Sequence, residues 1–389
     1  MKEEKITITN AQELRQEKCN VPTLRFKRYT TEWTKISLSN YLFVSSKRNK
    51  DGRFSKEDVL SVSGELGIVN QIALLGRSYA GESVLPYHIV EKGDIVYTKS
   101  PLALYPYGII KTNRNKVGIV STLYAVYKTK DNANNRFIEH YFSLKSRINN
   151  YLKPIVRIGA KHDMKIGNNE VLDNIVTFPD ISEQCEIADF LDLLDNRISV
   201  QNKIISDLKV LKKELCRKML SSITEYKTLG ELCSITTGKL DANANNQNGL
   251  YPFFTCGKDT LSINNYAFDG EAILIAGNGD IGHTKYYYGK FNAYQRTYVL
   301  MGFKADAQFV KMGIDTYLPQ KISEEMQGGA MPYIKLSTLT SLKIPFTTEE
   351  KQLSIRNHYD TIAQKVENET KILDLLLQQK SYFLNAMFI

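Results

Sequence analysis

The chain has 389 residues and a formal charge of +9 at pH 7, a length that suits two hydrophobic cores of ordinary size better than one. No apolar run nears the roughly 18 residues that would span a bilayer, and Met1-Lys2-Glu3-Glu4 lacks the apolar stretch of a signal peptide, so the expectation is a cytoplasmic protein with no membrane partner. Cys19, Cys185, Cys216, Cys233 and Cys256 are scattered, with no Cys-x-x-Cys pair and no histidine at zinc-ligand spacing, which argues against disulfides and a metal.

The charge is unevenly placed. Residues 1–180 hold 28 Lys and Arg against 18 Asp and Glu, and the rest of the chain is close to neutral. A basic first domain is what phosphate contacts require, since neutralising a polyanion releases counterions; a merely soluble basic surface accounts for the charge equally well.

In chain order, the first domain, residues 1–180, opens on Glu32-Trp33-Thr34-Lys35-Ile36-Ser37-Leu38. A turn and buried strand follow at Gly93-Asp94-Ile95-Val96-Tyr97, then another strand at Thr122-Leu123-Tyr124-Ala125-Val126. One helical stretch is predicted around Arg136–Leu152, ending near Gly159. A short strand, Asn174–Phe178, and a proline turn at Pro179 lead into a long helix over 181–222, because proline cannot continue a ladder but sits well ahead of a helix.

The same order then returns. The second domain, 223–348, opens on Glu225-Tyr226-Lys227-Thr228-Leu229-Gly230-Glu231-Leu232 and carries strands at Gly270–Ile275 and Arg296–Leu300. A helix follows around Ala307–Met326, ending near Gly328-Gly329, then the strand and proline turn Leu342-Lys343-Ile344-Pro345-Phe346. A second long helix spans 349–389. Residues 181–220 and 349–388 align without a gap at an offset of 168, pairing Ile187 with Ile355, Leu191 with Tyr359, Leu194 with Ile362, Ile198 with Val366, Ile205 with Leu373 and Leu208 with Leu376. Steps of three and four mark a coiled-coil seam. The fold class expected is therefore α+β: two similar recognition domains of short strands and helices, separated by a long antiparallel two-helix coiled coil, as a pseudo-two-fold internal repeat.

A helix of about 38 residues extends roughly 57 Å, and the natural cover for its apolar stripe is its own copy. The seam turns polar at Gln201 and Glu369, near the helix midpoints. In an antiparallel pair these meet as a register-fixing polar layer; the alternative is that the stripe drifts and both face solvent.

Sequence-specific contacts are expected where the two halves differ between matching strands. In the first half, Ser100–Gly118 and its approach offer Lys99, Ser100, Tyr105, Tyr107, Lys111, Asn113, Arg114 and Lys116. In the second, Ala276–Tyr294 offers Asn278, Asp280, His283, Lys285, Tyr286, Tyr287 and Tyr288. Arg or Lys suits guanine O6/N7, Asn or Gln suits adenine N6/N7, and acidic groups accept from cytosine N4. Further candidates are Lys47 and Arg48 for phosphate, Gln295 and Arg296 at the next strand, and Lys161 and Gln327 beside the helix-ending glycines. Against these stand a tyrosine run half core by strand alternation and a plain hairpin turn at Gly277-Asn278-Gly279. Arg136 and Arg147 are expected on the solvated surface. Lys209, Lys212, Lys213 and Arg217 on the long helix are expected either to serve partner subunits or simply to face water.

No catalytic residue is expected. No two prolines are adjacent, so the Pro-Pro turn of an adenine methyltransferase is missing. None of Gly238-Lys239, Gly257-Lys258 or Gly289-Lys290 completes a phosphate loop. The five histidines, His88, His140, His162, His283 and His358, pair with no nucleophile. A stand-alone nuclease or methyltransferase with an unrecognised site is the competing reading, and a protein-only scaffold is the third.

The doubled order of domain, strand, proline turn, Gln-containing helix start and long helix resembles the specificity (S) subunit of Type I restriction-modification systems. The two domain openings, the Gly-Glu-Ala-Ile-Leu-Ile strand at 270–275 and Phe178-Pro179-Asp180-Ile181-Ser182-Glu183-Gln184 carry the likeness over nearly the whole chain. Lys351-Gln352 departs from it, since the family commonly has Glu-Gln. The resemblance implies a non-catalytic reader of a bipartite, asymmetric double-stranded DNA target, with the helices setting the gap. It also implies docking of two methyltransferase (modification) subunits for adenine methylation and, with restriction subunits, DNA cleavage. Cofactors are implied only in those partners: S-adenosylmethionine, ATP and Mg.

Overall fold

The computed structural model describes residues 7–8, 20–102, 104–158, 164–326 and 333–389. The chain divides into two compact units, Met1–Val200 with Leu373–Ile389, and Gln201–Ile372.

In the first unit the opening strand Thr34–Ser37 pairs antiparallel with the strand Ile175–Phe178, so the start and end of the domain are stitched together. Between them lies an antiparallel sheet in the order Leu42–Val44, Tyr124–Thr129, Ile95–Thr98, Ile110–Thr112. Strand alternation sends Ile95 and Tyr97 into one apolar cluster and Val96 into another. With both faces covered, Ile95-Val96-Tyr97 reads as an unbroken apolar run. The helix expected over 136–152 is two helices, Asn135–Ser143 and Lys145–Leu152, because Leu144 between them is extended (φ −77°, ψ 118°).

The second unit repeats the plan. Tyr226–Thr228 pairs antiparallel with Lys343–Pro345. A six-stranded sheet runs Ser234–Thr237, Thr297–Met301, Phe268–Ala276, Thr284–Ala293, Tyr251–Phe254, Thr260–Ile263. Its first four members follow the order of the first unit's sheet, and the hairpin 251–263 is an addition joined by a parallel pairing to Thr284–Ala293. The helix Ala307–Met326 covers this sheet through Val310, Ile314 and Leu318.

The long helices are Ile181–Ser221 and Glu349–Ala386. Inside each unit their segments run antiparallel, since rising numbers on one meet falling numbers on the other. In the first unit Phe190 meets Phe383 with ring centroids 4.8 Å apart, and Asp195 pairs with Lys380 further along. In the second, Gln201 Nε2 donates to Glu369 Oε2 at 2.6 Å and to the Glu369 carbonyl at 2.9 Å, while Cys216 and Ile355 share one apolar cluster. Gln201 and Glu369 are both buried. Lys365 and Gln201 hold the Glu369 carboxyl below its ordinary range, so the layer pairs a carboxylate with an amide. The seam residues Ile187, Leu191, Leu194, Ile355 and Leu376 are buried, and Ile198, Leu208, Tyr359, Ile362 and Val366 half-buried.

Each unit's core is closed by the start of one long helix and the end of the other. In the first, Ile187, Ala188 and Leu191 join Leu384, Met387 and Phe388 around Trp33 and Phe137. In the second, Ile355 joins Cys216, Leu220 and Ile223 against Phe309 and Met312.

One glutamine makes each junction. Gln184, fully buried, accepts the Asn134 N–H (2.9 Å) with Oε1 and donates through Nε2 to the carbonyls of Pro179 (2.9 Å) and Asn132 (3.1 Å). Gln352 does the same, accepting the Asp306 N–H (3.0 Å) and donating to the Thr347 carbonyl (2.6 Å). Asn134 and Asp306 in turn cap the helices that follow them, through bonds to the N–H groups of Phe137 and Phe309. The glutamine thus locks the turn before its own long helix to the start of the helix packed beside it. The residue before it differs for a local reason. Glu183 is buried and receives two bonds from Arg25 at 2.7 Å, whereas Lys351 is exposed.

Truncating Gln352 or Gln184 to Ala leaves buried backbone groups unpaired and should lower the unfolding free energy of its own unit by about 1–3 kcal/mol in urea titration. Lys351→Ala should stay within about 0.5 kcal/mol.

Candidate nucleic-acid interface

In the first unit many of the expected contacts are committed internally. Asn113 is fully buried, and its amide donates to the carbonyls of Lys116 (3.1 Å), Glu91 (3.2 Å) and Val90 (3.4 Å). Lys111 lies 3.7 Å from Glu139, and burial pushes its pKa down from the ordinary lysine value. Arg114 bonds Glu139 at 3.0 Å and Asp192, on the long helix, at 2.7 Å. Asn113, Lys111 and Arg114 are thus all engaged by groups of their own unit, Arg114 while still exposed. Tyr105 and Tyr107 pack on the core rather than standing free. Gly108 has φ +87°, and a Cβ there would lie 2.1 Å from the Thr98 carbonyl, so the loop folds tightly onto the sheet. Lys99 donates to Asn168, Lys47 pairs with Glu91 at 2.7 Å, and Arg48 donates to the Pro86 carbonyl at 2.9 Å. Lys116 is exposed and Ser100 half-exposed.

The second unit keeps more of its candidates on the surface. Much of 276–294 is strand rather than loop, with Thr284–Ala293 paired to Phe268–Ala276. Alternation therefore governs the tyrosines: Tyr287 packs on Phe254 and Phe291, while Tyr286 and Tyr288 point outward, Tyr288 at 74% exposure. Tyr286 donates to Glu271 at 2.8 Å, and Lys285 donates to the carbonyls of Asp259 (3.2 Å) and Gly257 (3.3 Å). His283 is exposed, and Asn278 and Asp280 are half-buried in the turn. Gln295 and Arg296 are exposed at the next turn, beside a cleft of about 410 Å³ shared with Gly277, Tyr298 and Tyr333. Lys161 and Gln327 lie outside the described residues.

Two arginines expected on the solvated surface are half-buried and have partners in their own unit. Arg136 pairs with Asp189 (2.7 Å) and Asp192 (3.0 Å), and Arg147 lies 5.0 Å from the ring centroids of both Tyr141 and Phe388. On the long helix, Lys212 sits 4.1 Å over the Tyr359 ring, while Lys209, Lys213 and Arg217 remain exposed.

Sequence reasoning missed the polar joint on Asp192. His140 Nε2 lies 2.8 Å from its Oδ1. Burial acts to raise the Asp192 pKa, but His140 and Arg114 outweigh it and hold the carboxyl well below its ordinary range. His140, Asp192 and Asp195 bring ligand-type atoms within 4.8 Å of one another. Arg114, Arg136 and Lys380 already neutralise both carboxylates. The cluster is thus an ion-pair joint between recognition domain and helix, not a cation site. Its partners are tens of residues apart, and no spacing rule points to it.

Residues 86–210 and 223–378 each match the family described as Type I restriction modification DNA specificity domain. The chain belongs to that family. The two matched segments together take in most of the chain. The chain is 39% identical over 165 residues to the EcoDI specificity subunit of Escherichia coli, an alignment covering 42% of this chain and 37% of that one. It is 24% identical over 266 residues to the MjaVIII specificity subunit of Methanocaldococcus jannaschii, covering 57% and 63%. Less than two thirds of either relative is therefore spanned. Its fold is that of the Type I S subunit from M. genitalium, with a TM-score of 0.60 at 17% identity over 95% of this chain and 99% of that one. A chain from a study of complex assembly in a type I system gives 0.57 at 16% identity, over 91% and 96%. Among the described residues no helix is long and apolar enough to cross a membrane.

Burial, with Arg48 and Lys99 nearby, lowers the His88 pKa from 6.5 to about 4. The folded specificity subunit keeps this imidazole neutral where the unfolded chain takes up a proton, so acid favours unfolding. The first unit should lose stability progressively as the pH falls from 6.5 to about 4, and His88→Gln should flatten that part of the profile, read from urea midpoints at stepped pH.

Proposed function

We propose that this specificity subunit reads a bipartite, asymmetric duplex target, one half per recognition domain, with the two long helices fixing the unread gap. The observation that carries this reading is the doubled specificity domain, each copy running into a helix of about 40 residues and each unit pairing those helices antiparallel. A 41-residue helix extends roughly 60 Å, enough to hold two readers on separate major-groove segments in the way dimer spacing does for symmetric regulators.

On this reading the chain works in the cytoplasm, docked to two methyltransferase subunits that supply S-adenosylmethionine and methylate adenine. Restriction subunits with ATP and Mg join them for cleavage. Readout falls to the surface-facing candidates, Ser100 and Lys116 in the first domain and Asn278, His283, Tyr288, Gln295 and Arg296 in the second. The basic excess of residues 1–180 supplies sequence-independent phosphate affinity.

Replacing residues 1–180 by the matching domain of another specificity subunit, and determining the methylated motif of the reconstituted complex, should change one half of the target and leave the other half intact. A change in both halves contradicts one-domain, one-half reading.

A further inference from the structure

We propose that the turn just ahead of the central sheet strand is the base-reading tip of each recognition domain, and that the two tips carry opposite chemistry. Gln295-Arg296 reads a guanine in one half-site, and Thr122-Leu123 reads a thymine methyl in the other. This rests on the bipartite reading above and names which residues carry it.

The two turns are structurally equivalent. In the first domain the Tyr124 N–H donates to the Ser121 carbonyl (3.0 Å), and in the second the Thr297 N–H donates to the Tyr294 carbonyl (2.8 Å). Each is a four-residue turn, with Thr122-Leu123 or Gln295-Arg296 at its apex. The residue that leaves each turn enters the ladder opposite the last residue of the neighbouring strand, Tyr124 opposite Thr98 and Thr297 opposite Ala276. All four apex side chains are exposed, Leu123 to 65%.

The second tip has a held backbone and free side chains. The Gln295 N–H is taken by the Leu240 carbonyl (2.9 Å), and the Arg296 carbonyl accepts from the Gly277 N–H (2.9 Å) and Cys256 Sγ (3.3 Å). Gly277 must be glycine for this, because a Cβ there would lie 2.4 Å from the Arg296 carbonyl oxygen. Lys111, Arg114, Arg136 and Lys285 are bound to groups of their own units, whereas the Arg296 guanidinium is exposed and makes no bond or ion pair to another described residue. A planar two-donor fork on a fixed backbone fits guanine O6 and N7. The first tip has no charged group to offer; its hydroxyl and isobutyl group suit the C5-methyl of thymine.

The test is selection of full-length chain, wild type and variant, on a pool of randomised duplex DNA, followed by binding titrations on the enriched duplex and its single-base changes. Wild type should enrich a split motif with a guanine in one half and a thymine in the other that the tips account for. Arg296→Ala should lose preference at that one guanine and weaken binding to the enriched duplex by roughly 10- to 100-fold, leaving the rest of the motif unchanged. Arg296→Lys, which keeps the charge but not the fork, should relax the same position with the salt dependence unaltered. Leu123→Ala should relax a single position in the other half. Uniform weakening of all sequences by Arg296→Ala, with a shallower salt slope, would make it a phosphate contact and overturn the proposal while bipartite reading stands. Enrichment of no split motif by wild type would instead sink the bipartite reading itself. An unchanged urea midpoint establishes that each variant is folded.

Discussion

A forty-residue helix with an apolar stripe cannot stand bare in water, and the way this chain covers its two stripes determines how each recognition domain is finished. Neither domain closes its own core. Trp33 and Phe137 are covered by the beginning of one long helix and the last turn of the other, and Phe309 and Met312 are covered by the same combination with the roles exchanged. Antiparallel pairing inside each unit follows, because only opposed helices bring one start and one end to the same place. Gln184 and Gln352 then set the angle of departure, and the buried amide–carboxylate pair of Gln201 and Glu369 adds a specific register to an otherwise interchangeable apolar seam.

The electrostatics follow from the same closure. The first domain carries all the excess positive charge, yet several of its cations are engaged within the unit, two of them holding the domain to its long helix. Arg114 and Arg136 converge on Asp192, and Lys111 leans on Glu139. Positive charge in sequence is thus a poor guide to which cation faces a ligand; partner and burial decide it.

The repeat was the most legible feature of the sequence. Its offset of 168 residues carried the long helices, the closing strands and the seam, because each depends on local periodicity or on a proline turn that residue order displays directly. The break at Leu144 and the added hairpin 251–263 went unread, and the Asp192 joint was not legible because its partners lie tens of residues away in the chain. In the segment 276–294 the strand alternation weighed against readout is what the structure shows over Thr284–Ala293. Its alternating tyrosines, Tyr286 and Tyr288 outward and Tyr287 inward, are the signature of a strand with one face on Phe254 and Phe291. Readout residues were the least legible, because an exposed polar side chain looks the same in sequence whether it meets a base, a phosphate or only water.

On the function proposed above, the two specificity domains read two separate stretches of duplex across a fixed gap. Methylation-sensitive sequencing of a genome from cells that carry this chain with its methyltransferase subunits tests this most directly. The expected result is methylated adenines in a motif of two unlike specified blocks separated by a constant number of unspecified bases. A single continuous motif, or two blocks at variable separation, would contradict it.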